Sequence, residues 1–177
     1  MNTNIIKFYS KGEYYEFSNY YPAMIKIDNI EYYCSEVYYQ AQKFNIENDT
    51  NIDRIEYFKL ICEADSPQKS KDMGCQHVNF RGENWYINKN KPELGKMNDV
   101  IRKYKHIKID PNWSVRQIDV MTNAIQYKFD QHPKLKEILI KTYPNDIMED
   151  SPRDMFWGGT LNHLGKLLVK LRTQYLV

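Results

Sequence analysis

Read from its amino-terminal end, the chain first alternates apolar and polar positions and then changes to helical spacing. Ile5 to Tyr9 is a short apolar run broken by Lys7, and it predicts a strand. Two further runs, Ala23 to Ile27 and Ile30 to Tyr33, flank Asp28-Asn29. Asp and Asn tolerate positive φ, so a two-residue turn here predicts an antiparallel hairpin. Gly12 and Pro22 punctuate the loop ahead of it.

From Ser35 onward, apolar residues recur at steps of three and four. Ser35 can cap a helix running to about Asn45, with Val37, Ala41 and Phe44 on the core side. Ile52, Ile55, Phe58 or Tyr57, Leu60 and Ile61 predict a second helix. Ser66-Pro67 places proline at a first helical position behind a capping serine, and Gly74 is a stop. Asp110-Pro111 repeats that start signal before a long helix whose core positions are Val115, Ile118, Met121, Ile125 and Phe129. His132-Pro133 opens another, carrying Leu135, Ile138 and Leu139. The last runs from about Asn162, with Leu164, Leu167, Leu168 and Leu171 along one side. The expected fold class is mainly α (α+β), with a small N-terminal antiparallel β element.

Composition narrows this picture. The chain has 177 residues with no repeat or low-complexity linker, so a single domain over 1–177 is expected. Fifteen tyrosines bring apolar rings that a 42% hydrophobic content understates. Cys34, Cys62 and Cys75 are widely spaced and form no zinc-type pair, so buried thiols in a reducing compartment are expected, with no metal and no cofactor. The opening MNTNIIKFYS lacks a secretory apolar core, and no run is long enough to span a bilayer, which predicts a cytoplasmic protein with no membrane partner. A net charge of +2 excludes a strong nucleic-acid-attracting field over the whole surface. Asn88 to Lys108 is the local exception. There Lys89, Lys91, Lys96, Arg102, Lys103, Lys105 and Lys108 face only Glu93 and Asp99, either as a solvated face or as a phosphate-contacting patch.

Three stretches carry candidate chemistry. In Phe17-Ser18-Asn19-Tyr20, Asn19 can donate and accept at once, which suits a base edge or a ribose hydroxyl; a turn residue bonding its own backbone is the plainer reading. In Ser35 to Phe44, Glu36, Gln40 and Lys43 lie four and then three residues apart and so share one helix face. A carboxylate there can act as a base or oppose a developing oxocarbenium ion. An ammonium can grip phosphate or, deprotonated, attack as a nucleophile. Ordinary surface decoration explains the same spacing. The third stretch, Glu149 to Gly159 followed by Asn162-His163-Leu164-Gly165, combines acids, Trp157 and the Gly158-Gly159 pair before a helix. Such a loop can bind a flat base against the indole, or merely turn the chain and plug the core with it.

Taken in order, FSNYYP, SEVYYQAQKF, NWSVRQIDVM with Lys128-Phe129, DMFWGG and NHLGKLL resemble the YbiA-like, or NADAR, family over roughly Phe8 to Arg172. The resemblance implies a mostly helical domain and N-glycosidase activity on phosphorylated riboflavin-pathway intermediates, with a small-molecule phosphorylated ribosyl substrate. Other members remove ADP-ribose from guanine bases in nucleic acid, which is the alternative activity and partner. A non-catalytic module that binds ADP-ribose or a nucleotide is a further alternative. By position the resemblance assigns Glu36, Lys43 and Asp154 to catalysis, and Ser18, Asn19, Gln40, Trp157, Gly158 and Asn162 to substrate binding. Val37 stands where the family commonly has His. The loop after Trp157 is short, and an insertion is expected around 75–109 that contains the basic run.

Overall fold

The computed structural model describes residues 4–177. Its centre is one short helix, α1 (Ser35–Gln42), buried on every side. The elements around it are, in chain order, strands β1 (Ile5–Phe8), β2 (Ile25–Ile27) and β3 (Ile30–Tyr32), then helices α2 (Ile52–Cys62), α3 (Pro67–Gly74), α4 (Met97–Lys103), α5 (Trp113–Gln131) and α6 (Pro133–Lys141). Strand β4 (Asp146–Glu149) and helix α7 (His163–Tyr175) complete the fold. The fold is mainly helical with a small antiparallel hairpin near the N-terminal end, as the spacing predicts, and a second two-stranded sheet. Helices α2, α3 and α5 pack directly on α1.

The hairpin β2–β3 is antiparallel, with Ile25 opposite Tyr32. Asp28 (φ 50°) and Asn29 (φ 64°) form its left-handed turn. The outer edge of β2 is closed by a side chain. Gln131, at the end of α5, accepts from the Lys26 N–H (2.9 Å) and donates to its carbonyl (2.8 Å).

The other sheet departs from expectation. β1 pairs in parallel with β4, a strand from the far end of the chain, so only β2–β3 is antiparallel. Asp-Ile-Met-Glu carries too little apolar patterning to announce a strand; β1 on one side and α7 on the other hold it. Asn162 closes its free edge as Gln131 closes that of β2. Its Oδ1 accepts from the Glu149 N–H (3.1 Å) and its Nδ2 donates to the Ile147 carbonyl (2.8 Å).

Three local expectations are corrected. Ser35 does not cap α1. The capping position is Cys34, and the Glu36 N–H is satisfied instead by the main-chain carbonyl of Asn19 at 3.1 Å. Val115 is exposed rather than core-facing, because Trp113 turns inward at the start of α5 and residue 115 then lies about 200° further round the helix. The buried stripe of α5 is Trp113, Val120, Met121, Ala124, Ile125, Lys128 and Phe129. Ile52 and Ile55 are likewise exposed; α2 buries Tyr57, Ile61 and Cys62 and packs Phe58 and Leu60 partly against the core.

Lys128 is the unexpected member of that stripe. It is 1% exposed and donates to the Ser18 carbonyl at 2.8 Å, with its ammonium 5.5 Å from the ring centres of Tyr21 and Phe129. One carbonyl and two ring faces replace water poorly, and burial lowers the ammonium pKa to about 7. Below that pH both folded and unfolded chains hold the proton, and the burial cost is fully present. Above it only the unfolded chain stays protonated, so stability rises with pH toward the ordinary lysine range. Unfolding free energies in urea at about pH 6.5 and about pH 9 are expected to differ in that direction, and Lys128→Met is expected to flatten the difference.

Candidate active site

The complete burial of α1 decides what its polar stripe is. Glu36 is 7% exposed and Gln40 is 3% exposed, so neither decorates a surface. Gln40 Nε2 donates to Glu36 Oε1 at 2.7 Å. Gln40 is in turn held by the end of α3, where Gly74 leaves room for its amide; a Cβ on Gly74 would sit 2.1 Å from Gln40 Oε1. Burial pushes the Glu36 carboxyl above the usual range and Asp154 adds to that. The Gln40 amide, Lys71 and Lys43 oppose it.

Lys43 follows the last turn of α1 in helical conformation and stays on the same face as Glu36. Its carbonyl accepts from the Asp110 N–H (2.8 Å), while buried Asp110 receives the Asn112 N–H (2.8 Å) and the Arg116 guanidinium. The start of α5 thus pins the end of α1. The half-buried ammonium lies 5.6 Å from the centre of the Tyr39 ring and 4.0 Å from Cys75 Sγ, and burial lowers its pKa. Cys75 is exposed, unlike Cys34 and Cys62, so the expectation of three buried thiols holds for two of them.

Tyr39 links this helix to the Trp157 loop. Its ring meets Trp157 edge to face at 5.4 Å and 90°, and Trp113 at 5.0 Å. Trp157 is half-buried and also packs on Phe156 and His163. Asp154 shapes the loop, its Oδ1 accepting from the N–H groups of Phe156 (3.0 Å) and Trp157 (2.9 Å). Among the described residues it forms no ion pair with Lys43. Its Oδ2 is left for other work.

Ser18 and Asn19 are placed beside the first turn of α1. Ser18 Oγ accepts from the Tyr20 N–H (3.2 Å), and its carbonyl takes the Lys128 ammonium. Asn19 Oδ1 and Gln40 Oε1 are buried with no hydrogen-bond partner among the described residues. Buried acceptors normally find a donor; Gln40 Oε1 is shut against Gly74 of α3, which leaves Asn19 Oδ1 as the oxygen to which a ligand donor could be offered. Gly158 and Asn162 play backbone parts. A Cβ on Gly158 would lie 2.6 Å from the Glu149 carbonyl, and the Asn162 amide is engaged by β4.

Three neighbours were not singled out in the sequence. Lys71 of α3 is coupled to Glu36, Lys43 and Glu149, and its ammonium stands 5.8 Å from the centre of the Tyr20 ring. Burial and Glu36 raise the Tyr20 phenol. Glu149, at the end of β4, is raised to about 7 by burial and by the charges of Asp154 and Glu36. Tyr20 lies inside a recognised motif and Glu149 at the margin of one, but Lys71 on a polar stretch gives no signal.

Two other polar regions lie apart from this set. A groove of about 830 Å3 runs between the hairpin, the end of α2 and residues 88–91, and it shares no lining residue with the set. The basic run is neutralised in part, at Lys91, Arg102 and Lys103. Lys91 pairs with Glu63 (2.5 Å), Arg102 with Glu83 (2.5 Å), Lys103 with Glu56 (3.6 Å) and His106 with Asp53 (3.0 Å), and Lys105 donates to the Gln76 carbonyl (2.8 Å).

The set joins a buried acid, a half-buried amine and an aromatic wall, and comparison with known proteins gives its class, hydrolases named as N-glycosidases. The NADAR domain family matches residues 7–175, and the chain belongs to that family. N-glycosidase YbiA of Escherichia coli is 32% identical over 98% of this chain and 90% of its own length. An N-glycosidase of Nostoc punctiforme is 30% identical over 89% of this chain and 83% of its own. The chloroplastic riboflavin biosynthesis protein PYRR of Zea mays is 33% identical over 98% of this chain, which spans only 26% of that protein. The NMR structure of E. coli YbiA superposes with a TM-score of 0.71 at 28% identity, covering 99% of this chain and 87% of that one.

Proposed function

We propose that this protein hydrolyses the N-glycosidic bond of a phosphorylated ribosyl substrate of the riboflavin pathway, releasing the base. The observation that carries the reading is the burial of Glu36, hydrogen-bonded to Gln40, on a helix packed on every side. As the C1′–N bond lengthens, positive charge grows on C1′ and the ring oxygen. A carboxylate held out of water stabilises that charge more strongly than it stabilises the neutral ground state. Trp157 supplies a face for the departing base. Asn19 Oδ1 accepts from a substrate hydroxyl or amine, and Ser18 fixes its loop. Lys71 and Lys43 are the cations for phosphate. Asp154, with one oxygen uncommitted, activates the attacking water. Relatives named for riboflavin biosynthesis and for N-glycosidase activity support this substrate class. Removal of ADP-ribose from guanine bases is the less supported activity, since a relative is named for riboflavin biosynthesis and three cations of the basic run, Lys91, Arg102 and Lys103, are already paired with acids.

The test offers the purified protein phosphorylated aminopyrimidine ribosides and ADP-ribosylated guanosine side by side, and measures released base. Turnover of the first set is expected; turnover of the guanosine adduct alone overturns the assignment. Borohydride added during turnover separates water attack from attack by Lys43. A trapped adduct at residue 43 reassigns the nucleophile.

A further inference from the structure

The leaving nitrogen also needs a proton, and in the reading above Glu36 and Asp154 are both ionised, one opposing the growing cation and the other taking a proton from water. A third acid lies beside the Trp157 loop: the Glu149 Cβ would be 3.2 Å from a Cβ on Gly158, the residue after Trp157. Glu149 occupies the remaining acidic position. Its main chain is fixed on three sides: its N–H donates to Asn162 Oδ1 (3.1 Å), its carbonyl accepts from the Gly159 N–H (3.0 Å), and β1 pairs with its strand. The loop that clamps Glu149 is therefore the loop that carries Trp157, the proposed face for the base.

Resting on the reading above, we propose that Glu149 is a catalytic residue, the general acid that protonates the departing nitrogen. The C1′–N electron pair leaves with the base, the nitrogen takes the Glu149 proton, and the water oxygen bonds to C1′. The second proton of that water passes through Asp154 back to Glu149, so atoms and charge balance over a turnover. The groups facing Glu149 are Asp154 from the loop, Glu36 from α1 and Lys71 from α3. The two carboxylates hold the proton on Glu149 and Lys71 opposes them, which leaves the acid near pH 7, where donation at neutral pH works best.

The experiment uses the riboside that the wild-type protein cleaves and records kcat and KM across about pH 5 to 9 for wild type and Glu149→Gln, with ribose 5-phosphate binding as a check on site integrity. Wild-type kcat is expected to fall on the alkaline side with a midpoint near 7. Glu149→Gln is expected to lose about 10²- to 10³-fold in kcat at about pH 6 and to lose that alkaline limb, with KM and product binding within about twofold. A variant that keeps the limb or more than about a tenth of kcat overturns the assignment, as does a loss that appears equally in product binding. The wild-type profile is a readout that does not depend on the variant folding: a kcat that rises through pH 7 refutes the acid by itself. Failure of the wild-type protein to cleave any riboside refutes the parent reading instead, and this inference with it.

Discussion

Glu36→Gln is expected to lower kcat by about 10³-fold while leaving the protein as stable as before or more so. The two effects have one origin. Burial raises the folded-state pKa of this carboxyl, so folding loses stability as pH climbs from the ordinary carboxylate range through the folded value. An amide of the same shape carries no such cost at neutral pH. Its own hydrogen bond to Gln40 can survive, because an amide oxygen still accepts from Gln40 Nε2. The amide offers nothing comparable to a developing cation. Steady-state kinetics beside a urea titration check both halves. A variant retaining more than a tenth of wild-type kcat removes Glu36 from the chemistry.

Gly165→Ala is expected to be the most damaging small substitution in the chain. Inside a helix, alanine normally gains about 1 kcal/mol over glycine. Here the added Cβ would stand 2.1 Å from the Ile147 carbonyl of β4, and 2.5 Å from Asn162 Oδ1. The obstacle is main chain, so α7 and β4 have to separate, at about 3 kcal/mol or more, and the clash outweighs the propensity. Calorimetry is expected to show a melting point lower by about 6–12 °C. Activity is expected to fall as well, since β4 ends in Glu149. An unchanged melting point would mean that the packing of α7 on β4 is not the tight contact described.

Of the helices α1–α7, all but α4 were legible because their signals are local; α4 lies inside the basic run, where charge hides the apolar spacing of Met97, Val100 and Ile101. Ser66 accepts from the Lys69 N–H behind Pro67, and Asp28-Asn29 makes its turn, as their types require. The spacing of Glu36, Gln40 and Lys43 was legible too, but its meaning was not. Whether that stripe meets water depends on α3 and α5, which come from distant parts of the chain. The same distance hides β4, whose four residues become a strand only through β1 and α7. It also hides the electrostatic reach of Lys71 and Glu149. Among motif residues, Asn162 and Gly158 were legible as positions of interest; the structure gives them the backbone of β4 to hold.

Gln131 and Asn162 have one more consequence. A strand edge left open offers a row of donors and acceptors to any passing chain, and small ribbons are vulnerable to such recruitment. In this protein a single carboxamide occupies the outer rung of β2 and another that of β4. Each refuses a foreign strand with two hydrogen bonds rather than a whole extra element, which guards the folded chain against edge-to-edge aggregation.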